Sequence, residues 1–328
     1  MYTQLGTADL KSGEKATIAR VMAPDVEWGE KIVPFLGHKE RITRWQIEET
    51  VMGDIGRLES YYYIAHLGDE VIGTIATWEY VGAGILGHVF TDPKHRQKGA
   101  AKAIMAEQME DFRRRSGKAL FLGTGYDSVA YYIYYSFGFR SVYPESGFMD
   151  YYSESEEAFE SAYFEAVPAS VREPGWHDWA GLTTLMAASR GPTLRMFSTG
   201  MIRRRNFEGA FIKFYNNVVF KAGTQARVLE ADSTKSVVGV AYLTQDERFG
   251  GAVDLLDVYA HPSFETHLGD LLDAIELPEE RKVQAYVQAN DRLKRKALEA
   301  SGFEVEAVFE NQINGDRGPL DVAVLARG

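Results

Sequence analysis

Apolar and polar positions change their spacing several times along the chain, and each change predicts a new element of secondary structure. The first 58 residues predict a short strand followed by a mainly helical region. Three apolar runs separated by glycine-containing turns come next, and they predict an antiparallel meander of three strands. These runs are 61–65, 71–78 and 85–90.

Beyond the meander, the pattern predicts helices and strands in alternation. Pro93 ends the third strand, and apolar residues at helical spacing predict a helix that begins near Gly99. The basic run 113–115 near the end of this helix predicts a solvated face favoured by the helix dipole. The other elements predicted in this half are a strand at 120–122, a helix at 127–137 and a closing strand pair at 139–151.

The second half repeats the order of the first about 165 to 170 residues later, which indicates an internal duplication. Pro262 ends a strand as Pro93 does, and a Gly-Phe pair ends the last helix of each half. The acidic stretch 153–157 predicts a linker, so we predict two domains, 1–152 and 158–328. The elements expected in the second half are extended segments at 163–167, 226–230, 237–243, 253–260 and 283–287, helices at 177–189, near 271–272 and at 292–300, and an irregular stretch at 191–217.

Composition restricts the classes of function. The chain has 328 residues, 45% of them hydrophobic and 25% charged, with a net charge of −11, and this is typical of a globular protein. The acidic balance argues against binding to nucleic acid or to an anionic membrane. Cysteine is absent, which excludes disulfides, thiolate metal sites and cysteine nucleophiles, and we predict no metal site. The N-terminal residues do not resemble a signal peptide and no apolar run reaches membrane-spanning length, so we expect a cytoplasmic protein.

The segment from Phe90 to Ala101 lies between a predicted strand and a predicted helix. A strand that leads through a tight turn into a helix directs several free backbone N–H groups toward one point, together with the positive end of the helix dipole. Gly99 allows a phosphate to approach the backbone closely. The sequence therefore predicts a pyrophosphate site in this segment, around Arg96, Gly99 and Ala101.

A second motif extends from Asp127 to Phe139. Ala130, Ile133, Tyr134 and the Gly138-Phe139 pair fall in one register within it. Together the two segments resemble the Arg/Gln-x-x-Gly-x-Gly/Ala signature and the Asn-x-x-Ala-x-x-(apolar)-Tyr-x-x-x-Gly-Phe motif of the GNAT N-acetyltransferase superfamily. Asp127 stands where the family usually has Asn.

This resemblance implies a tandem GNAT-like fold, which is an α/β fold with a mixed sheet flanked by helices, and acetyl-CoA as the acyl donor. It implies that Tyr134 protonates the departing CoA thiolate, as a phenol with a reference pKa of about 10 can do at neutral pH. The substrate amine of a small molecule or peptide would attack the thioester directly. The residues implied in cofactor binding are Val89, Phe90, Thr91, Arg96, Gln97, Lys98, Gly99, Ala100, Ala101, Lys102, Asp127 and Ala130.

The general base is not specified by a motif. Many members of the family carry a Glu or His at the positions of Ile85 and Gly87, and neither is present here. His88 is the nearest candidate, but strand alternation directs it to the opposite face unless a β-bulge rotates it. Glu79, a chain of waters or a residue of the 14–58 region are the alternatives.

The second half departs from both motifs. With Pro262 aligned on Pro93, Glu265 takes the place of Arg96, and Leu268 that of Gly99. Leu298 takes the place of Tyr134. A carboxylate and a branched side chain would oppose a pyrophosphate by charge and by bulk. We therefore predict a C-terminal domain that keeps the fold without binding CoA.

Three functions are compatible with these residues. The first is an N-acetyltransferase acting on a primary amine. The second is an acyl-CoA-binding regulator or scaffold without turnover, and the third is an enzyme of the same fold that uses a longer acyl or an aminoacyl donor. The acceptor is not readable from the sequence, although the regions 14–58 and 191–217, with the surface arginines 203–205, are expected to line its site. The oligomeric state is not predicted.

Overall fold

The computed structural model describes residues 1–315 and 318–328. The chain divides into two compact units. Residues 1–159 and 175–180 form the first unit, and residues 160–174 and 181–328 form the second. Each unit contains a large mixed sheet flanked by helices, as the predicted fold class requires.

The first unit holds an eight-stranded sheet and the helices that cover it. Its strands are β1 (Tyr2–Asp9), β2 (Lys15–Met22), β3 (Glu59–Leu67), β4 (Glu70–Tyr80), β5 (Ala83–Thr91), β6 (Ala119–Gly123), β7 (Arg140–Ser141) and β8 (Phe148–Tyr152). They are ordered β1-β2-β3-β4-β5-β6-β8-β7, and the only parallel neighbours in this described sheet are β5 and β6. The helices are α1 (Val26–Phe35), α2 (Arg41–Met52), α3 (Ala100–Arg114), α4 (Val129–Ser136) and α5 (Glu156–Tyr163).

Helices pack on both faces of this sheet, which explains why β3 is apolar at consecutive positions. Tyr61 and Tyr63 belong to the hydrophobic core that contains the apolar side of α3. Tyr62 points to the other face, where its hydroxyl is 2.9 Å from the Thr50 hydroxyl of α2. Strand alternation thus distributes one tyrosine run between two cores.

The second unit has a seven-stranded sheet in the order β16-β17-β15-β14-β13-β12-β9 and a separate β10-β11 pair. Its strands are β9 (Ala169–Arg172), β10 (Leu194–Met196), β11 (Met201–Ile202), β12 (Gln225–Ala231), β13 (Val237–Gln245), β14 (Val253–Ala260), β15 (Lys282–Gln288), β16 (Glu304–Gly315) and β17 (Gly318–Arg327). The helices that follow α5 are α6 (Asp178–Ala187), α7 (Glu208–Phe220), α8 (Leu268–Asp273) and α9 (Arg292–Ala300).

The two large sheets share one topology. The order β2-β3-β4-β5-β6-β8-β7 in the first unit corresponds to β9-β12-β13-β14-β15-β17-β16 in the second. In each series one pair of neighbouring strands is parallel, β5-β6 in the first unit and β14-β15 in the second, and these pairs occupy equivalent places. The other neighbours in the two series are antiparallel. This agreement supports the internal duplication indicated by the sequence.

Several predicted elements are wrong. Strand β2 lies inside the region predicted to be mainly helical. The prediction missed it because the alternation of buried and less buried residues, at Ala16 and Ile18, covers only a few positions. Helix α7 lies largely inside the predicted irregular stretch, where Phe207, Phe211 and Phe214 recur at helical spacing. The predicted linker 153–157 runs into helix α5, and the segment 163–167 is not a strand.

The prediction of a solvated basic run at 113–115 is wrong for Arg115. Its guanidinium donates to both carboxylate oxygens of Glu79, at 2.7 and 2.9 Å, and to Asp111 at 3.0 Å. Asp111 also accepts from the Tyr63 hydroxyl at 2.8 Å. Arg113 and Arg114 are exposed as predicted.

Among the helices in the described part of the chain, we find none that combines the length and apolar character needed to cross a bilayer.

Candidate active site

The segment between β5 and α3 is held in a conformation that presents its backbone amides outward. Gly99 is the N-cap of α3 and has a left-handed backbone, with φ of +99°. The Lys98 carbonyl accepts from the Lys11 amide at 3.1 Å, and the Gly99 carbonyl accepts from Ala103. In the described residues, the amides of 97–102 donate to no protein oxygen outside the helix. These amides are therefore available to an anion at the positive end of the helix dipole.

Gly99 also leaves room in front of this helix end. A Cβ built on Gly99 would meet no heavy atom within 4 Å. Gln97, which has φ of +60°, turns the chain two residues earlier, and Ala100 is buried beneath the loop. Arg96 is exposed and its Nε donates to the Thr91 carbonyl at 3.1 Å, so it stays close to the end of β5.

The lysine side chains around this loop differ in their ion pairing. Lys98 lies 3.6 Å from a carboxylate oxygen of Glu14. Lys102 is exposed on the first turn of α3, where no ion pair is recorded for it in the described part of the chain. The loop thus combines free amides with the cations Arg96, Lys98 and Lys102, an arrangement suited to phosphate groups.

Strands β5 and β6 diverge beside this loop. They pair only over Ala83–Ala119, Gly84–Leu120 and Ile85–Phe121. Strand β5 nevertheless continues to Thr91 while paired with β4. The edge of β5 from residue 86 to residue 91 is therefore unpaired on the β6 side, and such an edge can accept an extended chain as if it were a neighbouring strand.

A β-bulge interrupts β5 within this open edge. Thr74 pairs with Phe90 and Ala76 pairs with Gly87, so His88 and Val89 together oppose Ile75. His88 has φ of +48°, and the Thr74 hydroxyl donates to its carbonyl at 3.0 Å. The extra residue reverses strand alternation beyond this point.

The bulge decides which face each of the following side chains reaches. His88 lies on the face covered by α2, where its ring is 4.9 Å from that of Trp78. Val89 packs against the core on the α3 face, and Phe90 contacts Phe35 of α1. Regular strand alternation predicted that His88 would lie on the opposite face unless a β-bulge rotated it. The bulge is present, and His88 is rotated.

Tyr134 is buried at the end of α4. It is 6% exposed and belongs to the same hydrophobic core as Ala100, with Val89 and Ala130 packed against that core. Val89, Ala100, Ala130 and Tyr134 thus belong to or border one hydrophobic core. Asp127 lies one residue before the N-cap of α4, with φ of +60°, and its carboxylate accepts from the Tyr132 hydroxyl.

The other tyrosines of the motif have structural partners. The Tyr131 hydroxyl is 2.9 Å from that of Ser141. Tyr135 is 46% exposed and lies under the Arg140 guanidinium. Tyr134 is the one tyrosine on this helix whose side chain is buried in the core.

Both side chains considered as bases on the sheet are hydrogen-bonded. The Nε2 of His88 is 2.8 Å from Oε1 of Gln46 on α2. Burial, with smaller contributions from the nearby Lys39 and His38, lowers the pKa of His88 to about 3. Glu79 is buried in its bidentate ion pair with Arg115 and accepts from the Thr77 hydroxyl at 2.6 Å.

His38 is a further polar side chain at this place, in the region that the sequence left unassigned. It follows α1, and its ring centroid is 4.2 Å from that of Phe90. His38 is exposed, and partial burial together with Lys39 lowers its pKa below the usual 6.5. His38 is recognised as a candidate only from the structure, because helix α1 packs near the end of β5 and no sequence motif includes His38.

The corresponding region of the second unit is built differently. Strands β13 and β14 pair without a shift from Gly239–Ala260 to Gln245–Asp254, so no bulge is present in this described pair. Helix α8 has only six residues and begins at Leu268, which is 4% exposed. Leu298 on α9 is fully buried.

Strands β14 and β15 also diverge, after Leu255–Gln284, but protein fills the opening. The Phe197 amide donates to the Asp257 carboxylate of β14 at 2.6 Å, and the Thr193 amide donates to the Gln288 side chain of β15 at 2.9 Å. The Phe197 ring stacks on Tyr286 of β15 with centroids 3.7 Å apart. Residues 193–198 thus bridge the two strands.

The first unit is therefore an α/β domain whose sheet opens, at a bulge, beside the amides of a helix N-terminus. Residues 59–141, which contain the bulge, the loop and Tyr134, match the family model of an acetyltransferase (GNAT) domain. This segment of the chain is therefore similar to GNAT acetyltransferase domains.

Solved structures of GNAT acetyltransferases are similar to about half of the chain. A GNAT-family acetyltransferase from Streptococcus pneumoniae is 18% identical, with 49% of this chain and 99% of that chain covered and a TM-score of 0.38. A phosphinothricin acetyltransferase from Sinorhizobium meliloti, in complex with AcCoA, is 16% identical, with 48% and 87% covered and a TM-score of 0.40. The spermidine/spermine N-acetyltransferase SpeG from Vibrio cholerae is 14% identical, with 48% and 91% covered and a TM-score of 0.34. No curated protein matches the sequence.

Proposed function

We propose that the first unit is an N-acetyltransferase that transfers the acetyl group of acetyl-CoA to a primary amine of a small molecule or peptide. The observation that carries this proposal is the joint arrangement of the open β5 edge and the amides before α3. An unpaired strand edge suits the amide-containing pantetheine arm, and the helix end suits the pyrophosphate. Both lie in the segment that matches the GNAT family model.

The proposed donor site combines backbone and side-chain groups. The edge at Val89, Phe90 and Thr91 would hydrogen-bond the pantetheine arm, and one of its N–H groups would polarise the thioester carbonyl. Asp127 and Ala130 would border the arm from the side of α4. The groups proposed to hold the pyrophosphate are those of Arg96, Gln97, Lys98, Gly99, Ala100, Ala101 and Lys102.

Tyr134 is proposed as the general acid. As the amine nitrogen forms its bond to the acetyl carbon, the carbon–sulfur bond breaks and the thiolate takes a proton from the phenol. Tyr134 belongs to the hydrophobic core against which Val89 and Ala130 also pack, and this supports the proposal. The proton lost by the attacking amine must go to a base on the acceptor side.

Two histidines are candidates for this base. His88 stays a prediction, although a pKa of about 3 makes its imidazole a weak base. His38 has a pKa lowered more modestly and an exposed ring beside Phe90, so we propose it as the stronger candidate. If His38 is the base, the H38Q variant loses about 10²-fold in kcat, and its rate no longer falls as the pH drops through the lowered pKa of His38. The H66Q variant is the control, and equal loss in H66Q would reject the assignment.

The second unit is proposed to be a degenerate copy without donor binding, and the domain limits 1–152 and 158–328 stay predictions. Its bulge-free β14 and its filled strand opening support this proposal. It would stabilise the first unit or shape the acceptor site.

The acetyltransferase proposal is tested by thiol release. Acetyl-CoA is mixed with the full chain and with polyamines, aminoglycosides, amino acids or peptides, and free CoA is measured. Amine-dependent release in one class supports the proposal. Binding of acetyl-CoA without release under any acceptor would favour the alternative, an acyl-CoA-binding regulator. The hydrogen bonds that engage His88 and Glu79 are the observation in favour of that alternative.

The role of Tyr134 has its own test. The Y134F variant should keep its KM for acetyl-CoA, because the phenyl ring still packs against Phe139. Its kcat should fall about 10²- to 10⁴-fold, since the thiolate loses its proton donor. The Y135F variant, altered on the same helix at an exposed position, serves as the control. Wild-type turnover in Y134F would disprove the assignment.

A further inference from the structure

The second unit contains a cavity of about 420 Å³. Helix α7, the end of β13, the turn that follows it and residues 197–199 form its walls. Small-molecule sites typically occupy about 300–1,000 Å³, so this volume suits one compact ligand. Nothing in the proposed chemistry of the first unit uses this cavity.

Three aromatic residues contribute to the lining of the cavity. Phe214 and Tyr242 lie with their ring centroids 4.6 Å apart, and both residues are buried. Phe197 also lines the cavity and is held by stacking on Tyr286. Flat, rigid walls of this kind favour a flat and mainly apolar body.

Charges around the cavity leave an excess of positive charge. The Lys221 ammonium pairs with Glu247 at 3.0 Å, and Arg248 pairs with Asp246 at 2.6 Å. Hydrogen bonds from these cations lower the pKa of both carboxyls, so both are ionised at neutral pH. Lys213 is the third cation in the lining, and its charge, like that of Lys221, also lowers the pKa of Glu247. This excess is notable in a chain whose net charge is −11.

A hydroxyl in the lining lacks a partner. The Oγ1 atom of Thr199 is buried and makes no hydrogen bond to any described residue. Leaving such a group unsatisfied costs about 1–3 kcal/mol, and a ligand oxygen in the cavity could remove that cost. The hydroxyl can donate to a carboxylate.

From these observations we propose that the cavity binds a small carboxylate whose body is flat and mainly apolar. The aromatic wall holds the body, while the Lys213 ammonium and the Thr199 hydroxyl recognise the carboxylate. This inference does not rest on the acetyltransferase proposal, because its site and its readout lie in the second unit.

Calorimetric titration of the full chain with 2-naphthoate tests the ligand class. Naphthoate should bind with a stoichiometry near one, and rising salt should weaken binding because the recognition is partly ionic. The neutral isostere 2-naphthalenemethanol should bind at least about 10-fold more weakly. Absence of naphthoate binding, or equal affinity for the alcohol, would overturn the proposal.

Two glycine variants locate the binding site. Gly209 lines the cavity on the first turn of α7, and a Cβ built there meets nothing within 4 Å. The G209F variant should therefore fold and fill the cavity, with loss of naphthoate binding. Gly269 on α8 has equal space around its Cβ and lies outside the cavity lining, so G269F should bind as wild type. Thermal unfolding midpoints verify that both variants fold, and naphthoate binding retained in a folded G209F variant would place the site elsewhere.

Two lysine variants test whether the charge of Lys213 contributes to binding. The K213Q variant should bind naphthoate about 3- to 5-fold more weakly, the range expected for an exposed ion pair. Lys296, exposed on α9, provides the control K296Q, which should not change the affinity. Unchanged affinity in K213Q, or an equal loss in K296Q, would contradict the role of Lys213.

Discussion

His88 owes its environment to one extra residue in β5. The bulge moves its ring from the α3 face to a position between Trp78 and Gln46, where it is held neutral. A neutral imidazole in the folded chain and a protonatable one in the unfolded chain link this residue to stability. No local sequence pattern announces such a bulge, since His88 is neither glycine nor asparagine.

We expect His88 to make stability depend on pH. Its pKa is about 3 in the folded chain and about 6.5 when unfolded, so its contribution is complete above pH 6.5 and is lost as the pH falls toward 3. Between pH 7.5 and 5.5 the wild type should lose about 1 kcal/mol more in free energy of unfolding than H88Q. Urea unfolding at both pH values measures this difference. Equal losses in the two proteins would show that the imidazole is not protected.

At the scale of elements, the N-terminus of α3 and the open edge of β5 act together. The loop before α3 is fixed by the Lys11 amide and by two left-handed residues, Gln97 and Gly99. Helix periodicity and the glycine predicted the start of this helix to within one residue. The pairing partner Lys11 could not be predicted, because β2 was assigned to a helical region.

The G99L variant should abolish acetyl-CoA binding. The leucine side chain enters the open space before the helix amides, and its left-handed backbone adds about 1–2 kcal/mol of strain. Gly223, with φ of +77° and equal open space, gives the control G223L, which carries comparable strain away from the loop. Equilibrium binding of acetyl-CoA by both variants separates the two effects. Retained affinity in G99L would exclude the loop as the pyrophosphate site.

At the scale of the whole molecule, the two units share one sheet topology, but the opening between the diverging parallel strands is free in the first unit and filled by protein in the second. The order of elements along the chain, the prolines after β5 and β14 and the Gly-Phe pairs were visible in the sequence, and so was the loss of both motifs in the second half. The segment 193–198 that fills the second opening was not visible, because its contacts to Asp257 and Gln288 join residues about 60 to 95 positions apart. Such long-range pairings leave no periodic pattern.

The full chain should bind one equivalent of acetyl-CoA. The first unit offers an open strand edge, whereas the second has no bulge in its described β13–β14 pair and has residues 193–198 between β14 and β15. Calorimetric titration gives the stoichiometry directly, and G99L should reduce it to zero. Two equivalents bound would contradict the assignment of a silent second unit.

The chain passes between its two units three times, because residues 175–180 return to the first one. Within that returning piece, Trp179 stacks on Trp78 at 4.3 Å and Trp176 lies 5.3 Å from Trp45. A chain that ends near residue 153 would lack this aromatic cover, and the Trp78 indole, which is fully buried in the full chain, would become exposed. Such an N-terminal fragment would expose an apolar surface and is expected to aggregate, because residues 175–180 belong to the first unit.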